Sequence, residues 1–206
     1  MERSTTLAGH ARRDRILQAV AEHDNGWTEE DAAPVIDPKT GGVADFVGAP
    51  PAMRQKVWPR GVARLDDPWA AALVAQHAIT VYDRYRCDPE WRPFFAGLEA
   101  MRDERVRACG GRPEDLQADY PFVRLGDLIS LTFCTGWREE QRVGRWTVRL
   151  SGERVLVSPD DFAGAALPIE IAGREIRRTS FRSDADLRTA LRDAAGFVLR
   201  GEVAGS

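Results

Sequence analysis

One stretch of the sequence constrains the fold more than any other: the residues from Asp67 to about Tyr85. Asp67-Pro68 is typical of a helix start, because the Asp side chain accepts from the first free N–H groups and Pro68 has no N–H to leave unpaired. The residues that follow are apolar almost all round. A helix without a polar face has to be covered by other elements on every side. The stretch therefore predicts a central helix, with His77 in its middle.

The spacing of apolar residues predicts four further helices, over residues 5–24, 52–62, 90–108 and 121–135. After Gly136 the pattern changes to short alternating runs separated by Gly-containing turns, which is typical of β-hairpins. The runs 146–150 and 154–157 predict one hairpin, and 167–171 with 175–176, around Ala172-Gly173, predict a second.

These patterns together predict a mainly α protein. Residues 1–140 are predicted to form a helical bundle, and residues 141–206 are predicted to form a small appendage that packs on it. The appendage is predicted to consist of an antiparallel sheet and a closing helix over Asp184–Val198.

Polar residues lie on the apolar background of three predicted helices: His23-Asp24 at the end of the first, His77 in the central one and Asp127 in the last. Buried imidazoles and carboxylates are costly unless they are paired or bind a metal. Each has a simpler explanation alone, such as a hydrogen-bonded core histidine or an aspartate paired with arginine. Together they predict one shared metal site, for which zinc, iron and manganese are all suitable.

The same residues resemble a known superfamily. A helical bundle with His-Asp at a helix end and an Asp on a later helix is similar to the HD-domain superfamily. The members of that superfamily are metal-dependent phosphohydrolases, with a minority of di-iron oxygenases. This resemblance implies an HD-domain-like helical bundle over residues 1–140. The chain looks more closely like the DUF3891-type uncharacterised bacterial family. That resemblance lies in five segments: residues 21–27, 31–34, 45–46, 71–74 together with His77, and 127–131.

The HD-domain resemblance implies that His23, Asp24 and Asp127 are metal ligands and that His77 is an additional one. It also implies a first histidine upstream, where the chain offers only His10, 13 residues before His23. On one straight helix the two would be about 20 Å apart. His10 is therefore a ligand only if the chain breaks between them, and one metal, or a second held by carboxylates, is the most we expect.

A long irregular segment, residues 25–52, follows the His-Asp pair and is punctuated by proline and glycine. Its Trp27 and Phe46 predict that it packs, and we expect it to cover the site as a loop. Asp31 in this loop is the predicted general base. Lys56 and Arg60, four residues apart on one helix face, are the predicted binding residues for an anionic substrate.

The charge and the motifs of the chain limit its partners. A formal net charge of −3 with interleaved arginines does not suit a nucleic-acid binder, and no apolar run is long enough for a membrane span.

Three cysteines without close pairing predict a reduced, cytoplasmic protein. The chain has neither a glycine-rich phosphate loop nor a Gly-x-Ser-x-Gly elbow, which argues against a nucleoside triphosphatase or a serine hydrolase.

Three function classes remain. The first is a metal-dependent hydrolase of a small anionic, phosphate-containing substrate, with metal-activated water as the nucleophile. The second is a non-haem iron oxygenase. The third is a non-catalytic binding or structural protein with a buried His/Asp cluster.

Overall fold

The computed structural model describes all 206 residues, which form eight α-helices and five β-strands. The helices are α1 Thr5–Ala8, α2 Arg13–Glu22, α3 Thr28–Ala32, α4 Pro51–Ala63, α5 Pro68–Val81, α6 Arg92–Ala108, α7 Pro113–Thr135 and α8 Asp184–Asp193. The strands are β1 Gln141–Val143, β2 Trp146–Ser151, β3 Arg154–Ser158, β4 Leu167–Glu175 and β5 Ala195–Gly205. No helix combines the length and the apolar character that crossing a membrane requires.

Helix α5 is the centre of the helical body. The Asp67 side chain accepts hydrogen bonds from the backbone N–H groups of Trp69 and Ala70, both at 2.9 Å, and so caps the helix as the sequence predicts. Every residue from Trp69 to Ile79 is buried. Helices α2, α4, α6 and α7 all pack against α5, which explains why it needs no polar face.

The prediction of a mainly α protein with a small antiparallel appendage is wrong. The chain is an α/β protein whose C-terminal part is a five-stranded mixed sheet with the strand order β1-β2-β3-β5-β4. The predicted hairpin of β2 and β3 is present, but β3 and β5 pair in parallel. A parallel pair needs a crossover connection, which here contains α8, so it cannot be recognised from a local hairpin pattern.

Two predicted elements of this region are also wrong. Ala172-Gly173 is not a turn, because β4 continues through it and pairs with β5 over its whole length. The closing helix ends at Asp193, and the chain finishes as strand β5. Phe197 and Val198 favour a strand, and the available edge of β4 supplies the hydrogen bonds that a helix would otherwise make internally.

The sheet shares one hydrophobic core with the helices. Val148, Val155 and Val203 of the sheet belong to the same buried cluster as Leu125 and Phe133 of α7. Gly201 of β5 also lies against α7, where an added Cβ would be 2.4 Å from the Phe133 ring. A side chain at this position would therefore push the sheet away from α7.

Asp161, in the connection between β3 and β4, joins the sheet to the N-terminus. Its side chain is fully buried. Its carboxylate accepts hydrogen bonds from the Ser4, Thr5 and Thr6 hydroxyl groups and from the Thr6 backbone N–H, at 2.5 to 3.0 Å. Burial raises the pKa of Asp161, but these donors outweigh it and hold the pKa below its usual value.

We expect Asp161→Asn to lower the free energy of unfolding by roughly 2 kcal/mol near neutral pH, because the charged acceptor of several buried donors is lost. Urea unfolding measures the change. Since folding lowers the pKa of Asp161, its contribution is present above the unfolded pKa of about 3.9 and is lost as pH falls through the folded value. The difference between mutant and wild type should therefore shrink in acid.

Asp103→Asn on α6 is the matched control, because that side chain is 59% exposed. It should change the free energy of unfolding by less than about 0.5 kcal/mol. An Asp161→Asn protein as stable as this control at neutral pH would contradict the structural role of Asp161.

Candidate metal centre

Side chains from three helical elements meet in one cluster. His23 caps the C-terminus of α2, His77 lies in α5 and Asp127 lies in α7. One ligand atom from each lies within 4.8 Å of the others. The packing of α2 and α7 against α5 therefore converts three residues that are distant in sequence into one cluster, which we call the His-His-Asp cluster.

His23 presents its Nε2 atom to the carboxylates. Its Nδ1 lies 2.8 Å from the Val20 carbonyl oxygen, so Nδ1–H is the donor there. Its Nε2 is buried without a hydrogen-bond partner of good geometry, 3.2 Å from Asp24 Oδ2 and 3.6 Å from Asp127 Oδ1. A backbone carbonyl that holds one ring nitrogen while the other faces a site is the usual arrangement of a metal-binding histidine.

The two imidazoles differ in their electrostatics. Burial lowers the pKa of His23, but the nearby carboxylates of Asp127 and Asp24 outweigh it and raise the pKa to about 10. Burial dominates at His77, which is 1% exposed, and lowers its pKa to about 4 despite the attraction of Asp127. His77 is therefore neutral at pH 7, and its Nε2 has a lone pair for a ligand in the tautomer that carries the proton on Nδ1, which lies 3.4 Å from the Tyr120 hydroxyl oxygen. A metal at the cluster would take the place of the proton on His23.

Asp127 is the shared carboxylate of the cluster. Its Oδ2 lies 3.7 Å from His77 Nε2 and accepts a hydrogen bond from Arg124, one turn earlier on α7. Burial raises the pKa of Asp127, but His23, His77 and Arg124 outweigh it and lower the pKa below its usual value. The carboxylate is thus ionised, as a metal ligand must be.

The spacing of the cluster is somewhat wider than the spacing of ligands around a single ion. Two ligands that are each about 2.1 Å from a metal lie about 3.0 to 3.4 Å apart for octahedral and tetrahedral angles. The separations of 3.6 and 3.7 Å between the imidazoles and Asp127 exceed this by a few tenths of an ångström, and the ligand atoms as a set span up to 4.8 Å, so an ion would have to draw the three side chains inward. Two imidazoles and one carboxylate suit zinc or non-haem iron and leave coordination positions open for water or substrate.

Asp24, the fourth predicted ligand, lies beside the cluster rather than within it. Its side chain is 60% exposed and contacts His23 Nε2 through Oδ2. Asp24 lines the cavity next to the cluster, so its carboxylate faces the same space.

A cavity of about 590 Å³ opens on the cluster and is lined by His77, Asp127 and residues of the loop that follows Asp24. The expected covering loop supplies much of this lining, including Trp27 and Phe46. Asp31, the predicted base, also lines the cavity. Partial burial raises the pKa of Asp31, with the negative charges of Asp24 and Glu30 acting in the same direction.

The structure does not bring Lys56 and Arg60, the predicted anion-binding residues, to the cavity. Arg60 donates to the Gly26 carbonyl oxygen at 3.1 Å and forms ion pairs with Glu29 and Glu30, so it anchors the covering loop. Lys56 is exposed.

The cation that lines the cavity is Arg124, which the sequence analysis missed. The sequence does contain a signal that Arg124 lies near Asp127. Arg124 precedes Asp127 by three residues on an apolar helix, and residues at this spacing share a helix face.

His10 lies away from the cluster, although the chain does break between α1 and α2. Its Nε2 is 3.2 Å from Asp119 Oδ1. Asp119 is fully buried and also accepts hydrogen bonds from Arg12 and from the Trp69 indole. The break therefore directs His10 to a separate buried carboxylate that ties the N-terminal segment to α5 and α7.

Comparison with known proteins gives one match. Residues 3–177 match the profile of a family described as "Protein of unknown function (DUF3891)". No curated protein and no solved structure matches the chain. The match covers the whole His-His-Asp cluster, and nothing in these comparisons connects the chain to the HD-domain superfamily.

We expect purified protein to bind about one equivalent of zinc, manganese or iron, measured by elemental analysis after dialysis. His23→Ala, His77→Ala and Asp127→Asn should each weaken binding at least about a hundredfold, because too few ligands remain. His10→Gln is the matched control, since His10 lies at Asp119, and it should bind normally. Equal metal content in all four variants would place any bound ion elsewhere.

Proposed function

The chain belongs to the DUF3891 family, and we propose that it is a metal-dependent hydrolase of a small anionic, phosphate-containing substrate. One observation carries this proposal: His77 and Asp127 of the His-His-Asp cluster and the Asp31 carboxylate face the same cavity. This combination provides ligands for one ion and a separate group that can accept a proton. A bound ion and a proton acceptor both promote the attack of water on an ester.

His23, His77 and Asp127 would hold a divalent ion, which supplies an activated water molecule and polarises the bond to be cleaved. His23 Nε2 already faces the ligand position, because Val20 fixes the orientation of its ring. Arg124 keeps Asp127 ionised, and only its Nη1 is engaged in that ion pair. The remaining N–H groups of Arg124 are available to the anionic part of a substrate.

Asp31 would accept the proton of the attacking water. Its pKa is raised by burial and by the nearby charges of Asp24 and Glu30, which makes its carboxylate a stronger base. Glu30 is held by Arg60, and Arg60 also binds the Gly26 carbonyl oxygen. These contacts fix the short helix α3, and with it the position of Asp31 over the cavity.

A second candidate is a non-haem iron oxygenase on the same site. Two histidines and one carboxylate with open positions are the ligands that iron oxygenases use. The mostly apolar cavity would also suit an uncharged organic substrate. Iron in the purified protein, together with oxygen uptake, would favour this candidate over the hydrolase.

The third class, a non-catalytic protein, is favoured if no metal binds and the cluster acts only through its ion pairs.

We also propose a reducing, cytoplasmic location. Cys87, Cys109 and Cys134 are all free thiols. Free thiols are typical of proteins that function in a reducing compartment.

We expect Asp31→Asn to reduce turnover by about 10²- to 10⁴-fold while metal content stays unchanged, because the variant keeps the shape of the side chain but cannot accept a proton. The assay first screens phosphomonoesters, phosphodiesters and nucleotides with manganese, iron and zinc in turn. Glu22→Gln is the control, since Glu22 directly precedes His23 but does not line the cavity.

The two variants separate the possible roles of Asp31. Turnover of Asp31→Asn equal to that of Glu22→Gln would make Asp31 a surface carboxylate without a role in the reaction. Loss of metal together with turnover would make it a ligand instead of a base. Absence of turnover in the wild-type protein with every substrate and metal would count against the hydrolase.

A further inference from the structure

We propose that the substrate is an amphiphile with a head that carries one negative charge and an apolar body. The head would lie at the His-His-Asp cluster, and the body would lie against the apolar residues of the cavity and its rim. This inference rests on the proposed function, because it specifies the substrate class of the same site.

The cavity is too large and too apolar for an inorganic anion or a small sugar phosphate alone. Of its 22 lining residues, 13 are hydrophobic. They include Trp27, Val35, Phe46, Met53, Leu131 and Leu191. A volume of about 590 Å³ is within the range of sites that enclose a whole organic ligand. Burying an apolar body here would remove the exposed hydrophobic lining from water.

The apolar surface continues from the cavity to the outside of the protein. Val43 and Phe46 line the cavity, yet 46% and 45% of their surfaces remain exposed. The neighbouring Val47 is 58% exposed. Because these residues belong to the covering loop, they form an apolar rim at the cavity entrance. A body longer than the cavity would contact this rim.

The charges around the cavity favour a singly charged head over a polyanion. Five carboxylates line the cavity, those of Asp24, Glu30, Asp31, Asp45 and Asp127, against one arginine, Arg124. Arg60 and Arg124 pair with Glu30 and Asp127, whereas Asp24, Asp31 and Asp45 have no arginine or lysine partner. With one divalent ion bound, these carboxylates would still repel a triphosphate or pyrophosphate.

Trp58 supplies a hydrogen-bond donor for the head. Its side chain lines the cavity, is 5% exposed and packs 5.6 Å from the His77 ring. Its indole Nε1–H is buried and makes no hydrogen bond of good geometry, although it lies close enough to the Tyr82 hydroxyl group to oppose the rise that burial causes in the pKa of that group. Burying an unpaired N–H group is costly, and an oxygen of the head would satisfy it beside the cluster. Trp58 is thus a positioning residue for the substrate.

Calorimetric titration of the zinc-loaded and the zinc-free protein tests this proposal with three probes. Methyl methylphosphonate and methyl hexylphosphonate carry the same single charge and differ only in the length of the alkyl group. The hexyl probe should bind at least about tenfold more tightly, since each buried methylene adds up to about fourfold. Pyrophosphate should bind more weakly to the protein than the hexyl probe does.

Two variants test which residues contact the apolar body and the charged head of the probe. Phe46→Ser should remove most of the hexyl preference and leave binding of the methyl probe unchanged. Phe197→Ser is its matched control, because Phe197 on β5 is 48% exposed and lies outside this cavity. Trp58→Phe keeps an aromatic ring without the N–H, and should weaken both phosphonates by a similar factor of about 2 to 12.

The outcomes separate this proposal from the proposed function. Equal affinity for the methyl and hexyl probes in both forms of the protein, or tighter binding of pyrophosphate, would overturn the amphiphilic substrate while leaving zinc binding intact. Failure to bind zinc at the His-His-Asp cluster would overturn the proposed function. In that case the zinc-free titrations still decide whether the cavity prefers an apolar body.

Discussion

The complete burial of α5 is the constraint on which the rest of the structure depends. A helix that is apolar on all sides can be stable only within a shell of other helices, and α2, α4, α6 and α7 provide that shell. Gln76 and His77 are the polar exceptions in the buried part of this helix, and the His77 imidazole lies in the protein interior. The end of α2 and the middle of α7 then bring His23 and Asp127 to it. The cluster is therefore a consequence of how the core is packed.

The electrostatics of the cluster follow from the same packing. Three groups that interact strongly share a small buried volume, and their charges have to balance. Without an ion, a protonated His23 and Arg124 stabilise the Asp127 carboxylate, while His77 stays neutral. In the proposed metal-bound form, a divalent ion would replace the proton of His23, keep Asp127 compensated and take His77 as a ligand.

Sequence reasoning could identify the residues of the cluster but could not identify the groups around it. His77 and Asp127 stood out because polar residues on apolar helices need partners, whatever the details of the fold. Arg124 was missed because arginine is usually a surface residue, and only the structure shows that it faces the cavity. Lys56 and Arg60 share a helix face, as their spacing predicts, but the carboxylates that engage Arg60 lie in a different segment, on α3.

The sheet was mispredicted for a related reason. Leu187, Leu191, Ala194 and Val198 follow helical spacing, so the pattern of α8 runs past its true end at Asp193. Pairing of β5 with β4 and with β3 ends the helix, and both partners are distant in sequence. Local periodicity carries no information about such pairing.

An anomalous difference map of crystals soaked in zinc, recorded at the zinc absorption edge, tests the central claim most directly. The account predicts one strong peak within about 2.0 to 2.2 Å of His23 Nε2, His77 Nε2 and an Asp127 carboxylate oxygen. A map without a peak among these three side chains, in crystals that show zinc bound elsewhere on the protein, would contradict it.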